Sequence, residues 1–420
     1  MLLIVFNIAA VCVLSILYVW VLYNIPVLLV GIRSLRKSRG PSRTSAPPKH
    51  SAPLPKISIL LPMKNEEKVA SRVLESIHNL NYPENRREII IVEDGSTDGT
   101  LKICENYAKD CSGQVKLVHR SKSNGKPAAL NHGLKYATGD VVAVFDADSV
   151  LDRDVLLKAV GYFEDASISA VQGRTLAINA DENMLTKIAS FEETGRFDVY
   201  FSGKDQLHLY LPLSGNCQFI RKHVLEKIGG WDEESLCEDV EMSARLTEKG
   251  YGVKYASDVK AWQEHPQSLR QIVKQRLRWY RGWLDVAAKY GRLMLKPSRK
   301  TFDAEVTLML PFLLPVSLLL LPLSILSFTI PFPTTYTTII LATTLLNALL
   351  PLLVAGGFFL LENPRRNSFR SWMGWMYLYW LVHLLTASYA LLRFLLRKPK
   401  EWRKTVKTGA ITTHEHFVPG

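Results

Sequence analysis

The chain has 420 residues, 47% of them hydrophobic, and a formal net charge of +13. Apolar residues crowd into the first thirty positions and the last third, while roughly 55 to 290 has the mixed charge of a soluble protein. That distribution makes a membrane protein the leading class. Basic residues flank the apolar segments: Arg33, Arg36, Lys37 and Arg39 after the first, and Arg397, Lys398, Lys400, Arg403 and Lys404 near the end. This placement suits contact with membrane lipids, and with no zinc-finger or RNA-binding signature beside it, it argues against nucleic acid as a partner. Cys12, Cys104, Cys111, Cys217 and Cys237 contain no C-x-x-C pair, which argues against a zinc site and fits a reducing compartment.

Residues 2 to 32 are almost continuously apolar. The stretch is too long for a signal peptide, and its charges follow it, so segment 1–32 reads as a retained transmembrane helix ending in the cytoplasm. A basic Ser/Pro linker occupies 33–55. From 56 to 267, short β-rich runs alternate with helical stretches: KISILLPM, EIIIVED, VKLVH, DVVAVFDAD and SISAVQG, with helices from about Glu66, Thr100, Pro127 and Asp154. The alternation predicts an α/β domain with a mainly parallel sheet, whose ligands bind beyond the carboxyl ends of the strands. Residues 268–303 read as amphipathic interfacial helices, and 304–396 as membrane segments with two or three crossings. Two readings of 372–396 stand. Its uniform hydrophobicity suits a crossing, whereas Trp372, Trp375, Tyr377, Tyr379 and Trp380 at one end favour an interfacial helix that returns the basic tail, 397–420, to the cytoplasm.

The residues able to do chemistry follow the strands. Asp146 and Asp148 follow VVAVF; they form either a solvated turn or a seat for Mg²⁺, which takes one or two carboxylates and completes its shell with phosphate and water. Asp94 ends EIIIVED, where it can accept from a base edge or ribose or simply shape a βα turn. Lys126 precedes a helix, a place suited to a diphosphate. Asp239, beside Glu238 at a helix start, is either an acidic cap or a general base. Gln275, Arg278 and Trp279 fall on one helical face, where a guanidinium and an indole can grip a pyrophosphate and stack on a sugar.

In order and spacing, this series resembles glycosyltransferase family 2 with the GT-A fold. The likeness is greatest to the membrane-integrated branch of cellulose, chitin and hyaluronan synthases. Its D, D-x-D, (E)D, Q-x-x-R-W pattern is matched at Asp94, Asp146 with Asp148, Glu238-Asp239, and Gln275, Arg278 and Trp279. Pro62-Met63-Lys64-Asn65-Glu66, the Asn124–Asn131 stretch and Val171-Gln172 resemble flanking segments of the same family. Cys237 departs from the threonine of many relatives, and 402–409 resembles a gating loop.

The resemblance implies roles. Pro62, Glu66, Asp94, Lys126 and Asp146 would bind the nucleotide of a UDP-sugar. Asp148, with Asp146, would hold Mg²⁺ or Mn²⁺. Asp239 would deprotonate the acceptor hydroxyl in a single inverting displacement that gives a β-linkage. Gln275, Arg278, Trp279, Glu238, Gln172, Gly215, Asn216 and Cys217 would serve the diphosphate and acceptor. The expected enzyme is a multi-pass cell-membrane protein with a cytoplasmic catalytic domain. It would extend a polysaccharide processively or, alternatively, add one sugar to a lipid.

Overall fold

The computed structural model describes residues 2–38, 53–111, 113–292, 295, 298–329, 337–345, 369–400 and 404–412. Most of the linker, most of the second C-terminal apolar stretch, and Trp402 and Arg403 lie outside these residues.

Among the described residues, eight strands form one sheet. They are β1 (Ile57–Met63), β2 (Arg87–Asp94), β3 (Val115–Arg120), β4 (Val141–Val144), β5 (Val150–Leu151), β6 (Ile168–Ala177), β7 (Gln218–Arg221) and β8 (Gly252–Gln263), in the order β3-β2-β1-β4-β7-β6-β8-β5. Helices α1 (Leu2–Ser38), α2 (Ala70–His78), α3 (Thr100–Asp110), α4 (Lys126–Leu134), α5 (Val155–Tyr162) and α6 (Met184–Thr194) precede a π-helical segment, Gly195–Phe201. Then come α7 (Ser202–Gln206), α8 (Lys222–Lys227), α9 (Glu238–Glu248), α10 (Leu269–Tyr290), α11 (Arg299–Leu308), α12 (Leu310–Leu318), α13 (Leu320–Thr329) and α14 (Phe369–Leu395).

The apolar runs are strands because helices cover both of their faces. Ile57, Ile59, Leu61, Ile89, Ile91, Val141 and Ala143 enter one core, while Leu60, Ile90, Val92, Val142 and Val144 enter the other. This is period-2 side-chain alternation with no solvent face.

The expectation of a mainly parallel sheet needs refining. β1 pairs in parallel with β2 and β4, β2 with β3, and β6 with β8, but β7 runs antiparallel to both β4 and β6, and β5 antiparallel to β8. The reversal matters for the site. Because Val144 pairs with Gln218, the loop entering β7 lies beside the loop leaving β4. The ends of β6 and β8 return to that same edge, where Ala177 pairs with Gln263.

Two helical stretches are long and apolar enough to cross a membrane, Val11–Lys37 and Trp375–Leu395. A further candidate is the pair Arg299–Leu308 and Leu310–Leu326, bent by 45°. The chain at α7 and α11 is bolted to α1 around an ion pair with no solvent exposure on either side. Lys204 Nζ donates to Asp303 Oδ2 at 2.6 Å and to Thr307 Oγ1 at 2.7 Å. Tyr23 Oη donates to Asp303 Oδ1 at 2.8 Å, and the Tyr210 amide donates to Oδ2 at 2.9 Å. One carboxylate therefore joins α1, α7 and α11. Removing a single partner of such a pair leaves an uncompensated buried charge. Asp303→Ala is expected to destabilise the protein by about 3–5 kcal/mol, whereas Lys204→Met with Asp303→Leu recovers most of that loss; thermal unfolding in detergent measures both.

Candidate active site

The exits of β1, β2 and β4 bring Glu66, Asp94, Asp146 and Asp148 to one edge of the sheet. At the centre lies Lys126, at the start of α4 and next to Gly125, whose φ of +93° suits glycine. Its Nζ donates to Asp146 Oδ1 at 2.6 Å and to the Gly215 carbonyl at 2.8 Å, and it lies 3.2 Å from Glu238 Oε1. Burial alone would lower the Lys126 pKa, but Asp146 and Glu238 outweigh it and hold the ammonium charged.

Asp239 stands on the far side of this ammonium. Its Oδ1 accepts from the Val240 amide at 2.8 Å. Burial, with Glu238 adjacent, pushes its carboxyl up to about 7 against the pull of Lys126. Gly215, at φ +74°, packs against it: a Cβ there would sit 3.1 Å from Asp239 Oδ2 and 3.3 Å from Lys126 Nζ. The α9 start is also clamped by α10. Arg278 donates to the Leu236 carbonyl at 3.3 Å, and Cys237 Sγ approaches the Trp279 carbonyl at 3.6 Å. A Cβ on Gly282 would lie 2.5 Å from Cys237 Sγ, so the two segments touch without room for a side chain.

On the other side, Asp148 Oδ2 accepts from Lys407 Nζ at 2.6 Å and from the Glu264 amide at 2.9 Å. Burial would raise the Asp148 carboxyl, but Lys407 outweighs it and holds it below its ordinary value; Asp146 is lifted by burial. Residues 404–412 thus cross the cleft. Lys404 reaches Glu66 at 2.9 Å, and both oxygens of Glu264 are taken by the Thr408 and Gly409 amides at 2.7 and 3.0 Å. Burial pushes Glu66 up to about 7, with Lys404 opposing it.

The predicted residues do not all line the cleft. Gln172 is fully buried; its Oε1 accepts from the Ser214 amide and its Nε2 donates to the Asn216 carbonyl at 2.9 Å. Asn216 Oδ1 accepts from Asp146, Ser149 and Cys217, and Cys217 is packed beneath the loop. These three lie behind the Gly215 loop and brace it. Asp94 is paired internally, with Arg120 at 3.0 Å and Ser123 at 2.5 Å. Pro62, in β1, and Gln275 are half-buried. Sequence reasoning missed Glu264 and Arg72, the latter donating to the Asp148 carbonyl at 3.0 Å. Glu264 was findable as an acid immediately after a strand, had β8 been recognised.

Among the described residues, no three carboxylate, histidine or cysteine groups form a metal cage. The cleft nonetheless suits a cation that takes only one or two carboxylates. Asp148 already embraces the Lys407 ammonium, and Glu66 Oε2 is buried with no hydrogen-bond partner.

Residues 55–282 match the profile of the glycosyltransferase-like family 2. The chain is 33% identical over 270 residues to a beta-monoglucosyldiacylglycerol synthase of Nostoc, covering 63% of this chain and 57% of that protein. It is 31% identical over 231 residues to a poly-beta-1,6-N-acetyl-D-glucosamine synthase of Staphylococcus epidermidis, covering 55% of each. The matched stretch therefore spans little more than half the length of these relatives. A mannosyltransferase from Pyrobaculum calidifontis, solved with GDP-Man and Mn²⁺, superposes with a TM-score of 0.61 at 21% identity over 92% of this chain and all of that one. The likeness establishes the GT-A fold.

Replacing Lys126 leaves Asp146, Glu238 and Asp239 facing one another without a cation. Lys126→Met is expected to lower the melting temperature at neutral pH, by roughly 2–4 °C for each kcal/mol lost in a domain of this size. Like-charge repulsion raises the carboxyl pKa values in the folded variant, so the deficit is largest at neutral pH and shrinks as acid protonates the cluster. Melting curves across pH for both proteins measure it.

Proposed function

The chain belongs to glycosyltransferase-like family 2, and from that membership and the geometry of the cleft we propose an inverting transferase that moves a sugar from a UDP-sugar to an acceptor hydroxyl. The carrying observation is the Lys126 ammonium, which touches Asp146 on one side and Glu238, the neighbour of Asp239, on the other. The donor's diphosphate belongs on the Asp146 and Asp148 side, the acceptor on the Asp239 side, and the anomeric carbon between them.

Asp239 takes the proton of the acceptor hydroxyl. The freed oxygen bonds to the anomeric carbon on the face opposite the diphosphate, and the bond from that carbon to the phosphate oxygen breaks, its electron pair leaving with UDP. A single displacement inverts the centre, so an α-linked donor gives a β-linked product. Asp148 and Asp146 would hold Mg²⁺ or Mn²⁺, which neutralises charge on the departing diphosphate. Lys126 supplies fixed positive charge at the same place, joined by Arg278 beside the base. Pro62, Glu66 and Asp94 mark the nucleoside end, and Trp279 with Gln275 the acceptor wall.

Two acceptors fit the family, a lipid hydroxyl and the end of a growing polysaccharide. We place the lipid first, because α14, with its apolar Trp375–Leu395 stretch, packs along α10 beside the cleft. The tail that follows α14 contacts Asp148, so tail and catalytic domain share one face of the membrane. The positive residues at the C-terminal end of α1, Arg33, Arg36 and Lys37, favour the cytoplasmic face, in a protein that crosses the membrane more than once. Domain limits follow the same reading: an anchor to 32, a linker to 55, the catalytic domain to 267, the Q-x-x-R-W helices to 303, and membrane segments to 396.

Asp239→Asn is expected to lower sugar transfer about 10²–10⁴-fold while leaving UDP binding intact; equal turnover by the variant defeats the mechanism. Since Asp239 must be ionised to accept the proton, the rate rises with pH through about 7, and initial rates across pH test the limb. Chelation is expected to abolish transfer from a panel of UDP-sugars, with Mg²⁺ or Mn²⁺ restoring it in the wild type but not in Asp148→Asn. A product ladder on a gel, rather than one addition, would favour the polysaccharide acceptor.

A further inference from the structure

A second polar cluster lies where α6, α10 and α14 meet. Arg276 donates to Glu192 Oε2 at 2.6 Å, and so does the Tyr379 hydroxyl at 2.6 Å. His383 shares a 2.6 Å hydrogen bond through Nδ1 with the Tyr280 hydroxyl. Its Nε2 is buried, has no hydrogen-bond partner among the described residues, and lies 4.0 Å from Glu192 Oε2. His383 sits inside the membrane-grade stretch Trp375–Leu395 and is 3% exposed. An ionisable group at such a position is expensive unless it serves function. The 4.0 Å gap is too long for a direct hydrogen bond, but one hydroxyl oxygen at about 2.8 Å from each group closes it.

The cluster borders the acceptor wall: Arg276 lies 4.3 Å over the Trp279 ring. Arg196, on the π-helical segment that continues α6, comes one helical turn after Glu192. It stacks 4.7 Å above the Phe197 ring, and its nearest carboxylate, Glu193, is 3.7 Å away. The Glu192 and Arg196 side chains are 39% and 36% exposed, so the cluster opens outward at these two residues while His383 is buried. π-Helical turns also occur often at functional sites.

We propose that Glu192, Arg196 and His383 form a headgroup subsite for a neutral, hydroxyl-bearing lipid, entered beside α14 and leading its hydroxyl to Asp239. Among the described residues each guanidinium here has a carboxylate partner, Arg276 with Glu192 and Arg196 with Glu193, so neither is left over for a phosphate. Paired donors and acceptors suit polyol oxygens instead. The inference rests on the transferase reading for its acceptor chemistry, while the location of the subsite is tested independently.

The probe is a diazirine-bearing diacylglycerol, the simplest neutral hydroxyl lipid, photolysed with the full-length protein in nanodiscs and mapped by mass spectrometry. Labelling is expected within 184–201 and around 379–386, competed by unlabelled diacylglycerol. Glu192→Gln and Arg196→Gln, chosen because both side chains are accessible, are expected to cut it roughly fivefold or more and to raise the KM for diacylglycerol about tenfold. The donor KM and the slow hydrolysis of UDP-sugar without acceptor should be unchanged in both, and the melting temperature unchanged in Arg196→Gln; Glu192→Gln, which takes from Arg276 its carboxylate partner, is expected to melt lower. Labelling elsewhere, or labelling and acceptor KM indifferent to both variants, overturns the subsite; so does a fall in melting temperature that alone accounts for the lost labelling. If the wild type releases no UDP from any donor, the transferase reading fails, while the map of labelled residues still judges the subsite.

Discussion

One ammonium holds the cleft together. Lys126 contacts the loop after β4 through Asp146, the loop before β7 through the Gly215 carbonyl, and the start of α9 through Glu238. Each contact is with a different stretch of chain, and none is close to Lys126 in sequence. Bringing three carboxylates within reach of one another in a partly dehydrated cleft is unfavourable unless a cation sits among them. The same charge that stabilises this gathering faces the place where negative charge would build in the proposed reaction, so the structural and chemical requirements coincide.

That coincidence depends on the reversal of β7. An all-parallel sheet would carry the start of a seventh strand to the opposite edge, far from Asp146. Antiparallel pairing of Val144 with Gln218 instead lays Gly215 beside the acidic turn, where glycine is required twice over. Its φ is +74°, and a side chain would press on both Asp239 and Lys126. Gln172, Asn216 and Cys217 then make sense as bracing: their hydrogen bonds and packing keep the loop from relaxing away from the charges it faces.

The parts legible in the sequence were those with an unbroken physical signature. β1, β2 and β4 bury both faces and so read as continuous apolar runs ending in acids. The helices beginning at Thr100 and after Asp154 and Ser268 carry the expected spacing. β8 escaped notice because GVKYASDVKAWQ mixes lysine and aspartate with apolar residues, several of its positions being only half-buried. With β8 unseen, Glu264 at its end was unseen too, although both of its oxygens anchor the tail. Gln172, Asn216 and Cys217 take a ligand-facing role only from the family resemblance, and a motif does not say which way a side chain points; all three are buried. Glu192 and Arg196 gave no motif at all; their meaning comes from α10 and α14, distant in sequence, packing around them.

The helices apolar enough to cross a membrane also pack closely against the rest of the protein. A Cβ on Gly203 would lie 2.0 Å from the Val27 carbonyl, and one on Gly31 would lie 2.0 Å from the Val199 carbonyl. The α1 backbone therefore packs directly against α7 and the π-helical segment, with no side chain between to absorb a shift. Arg196 projects from that segment, so the position of its guanidinium is set partly by α1. On α10, Arg276 and Tyr280 are held by Tyr379 and His383 of α14. In the proposed reaction the donor side is built from the sheet and crossed by the tail, while the acceptor side is built from helices, one of them apolar enough to cross a membrane. That division suits the proposed chemistry: a nucleotide would arrive from water, and an acceptor carried by lipid would have to be met where lipid is.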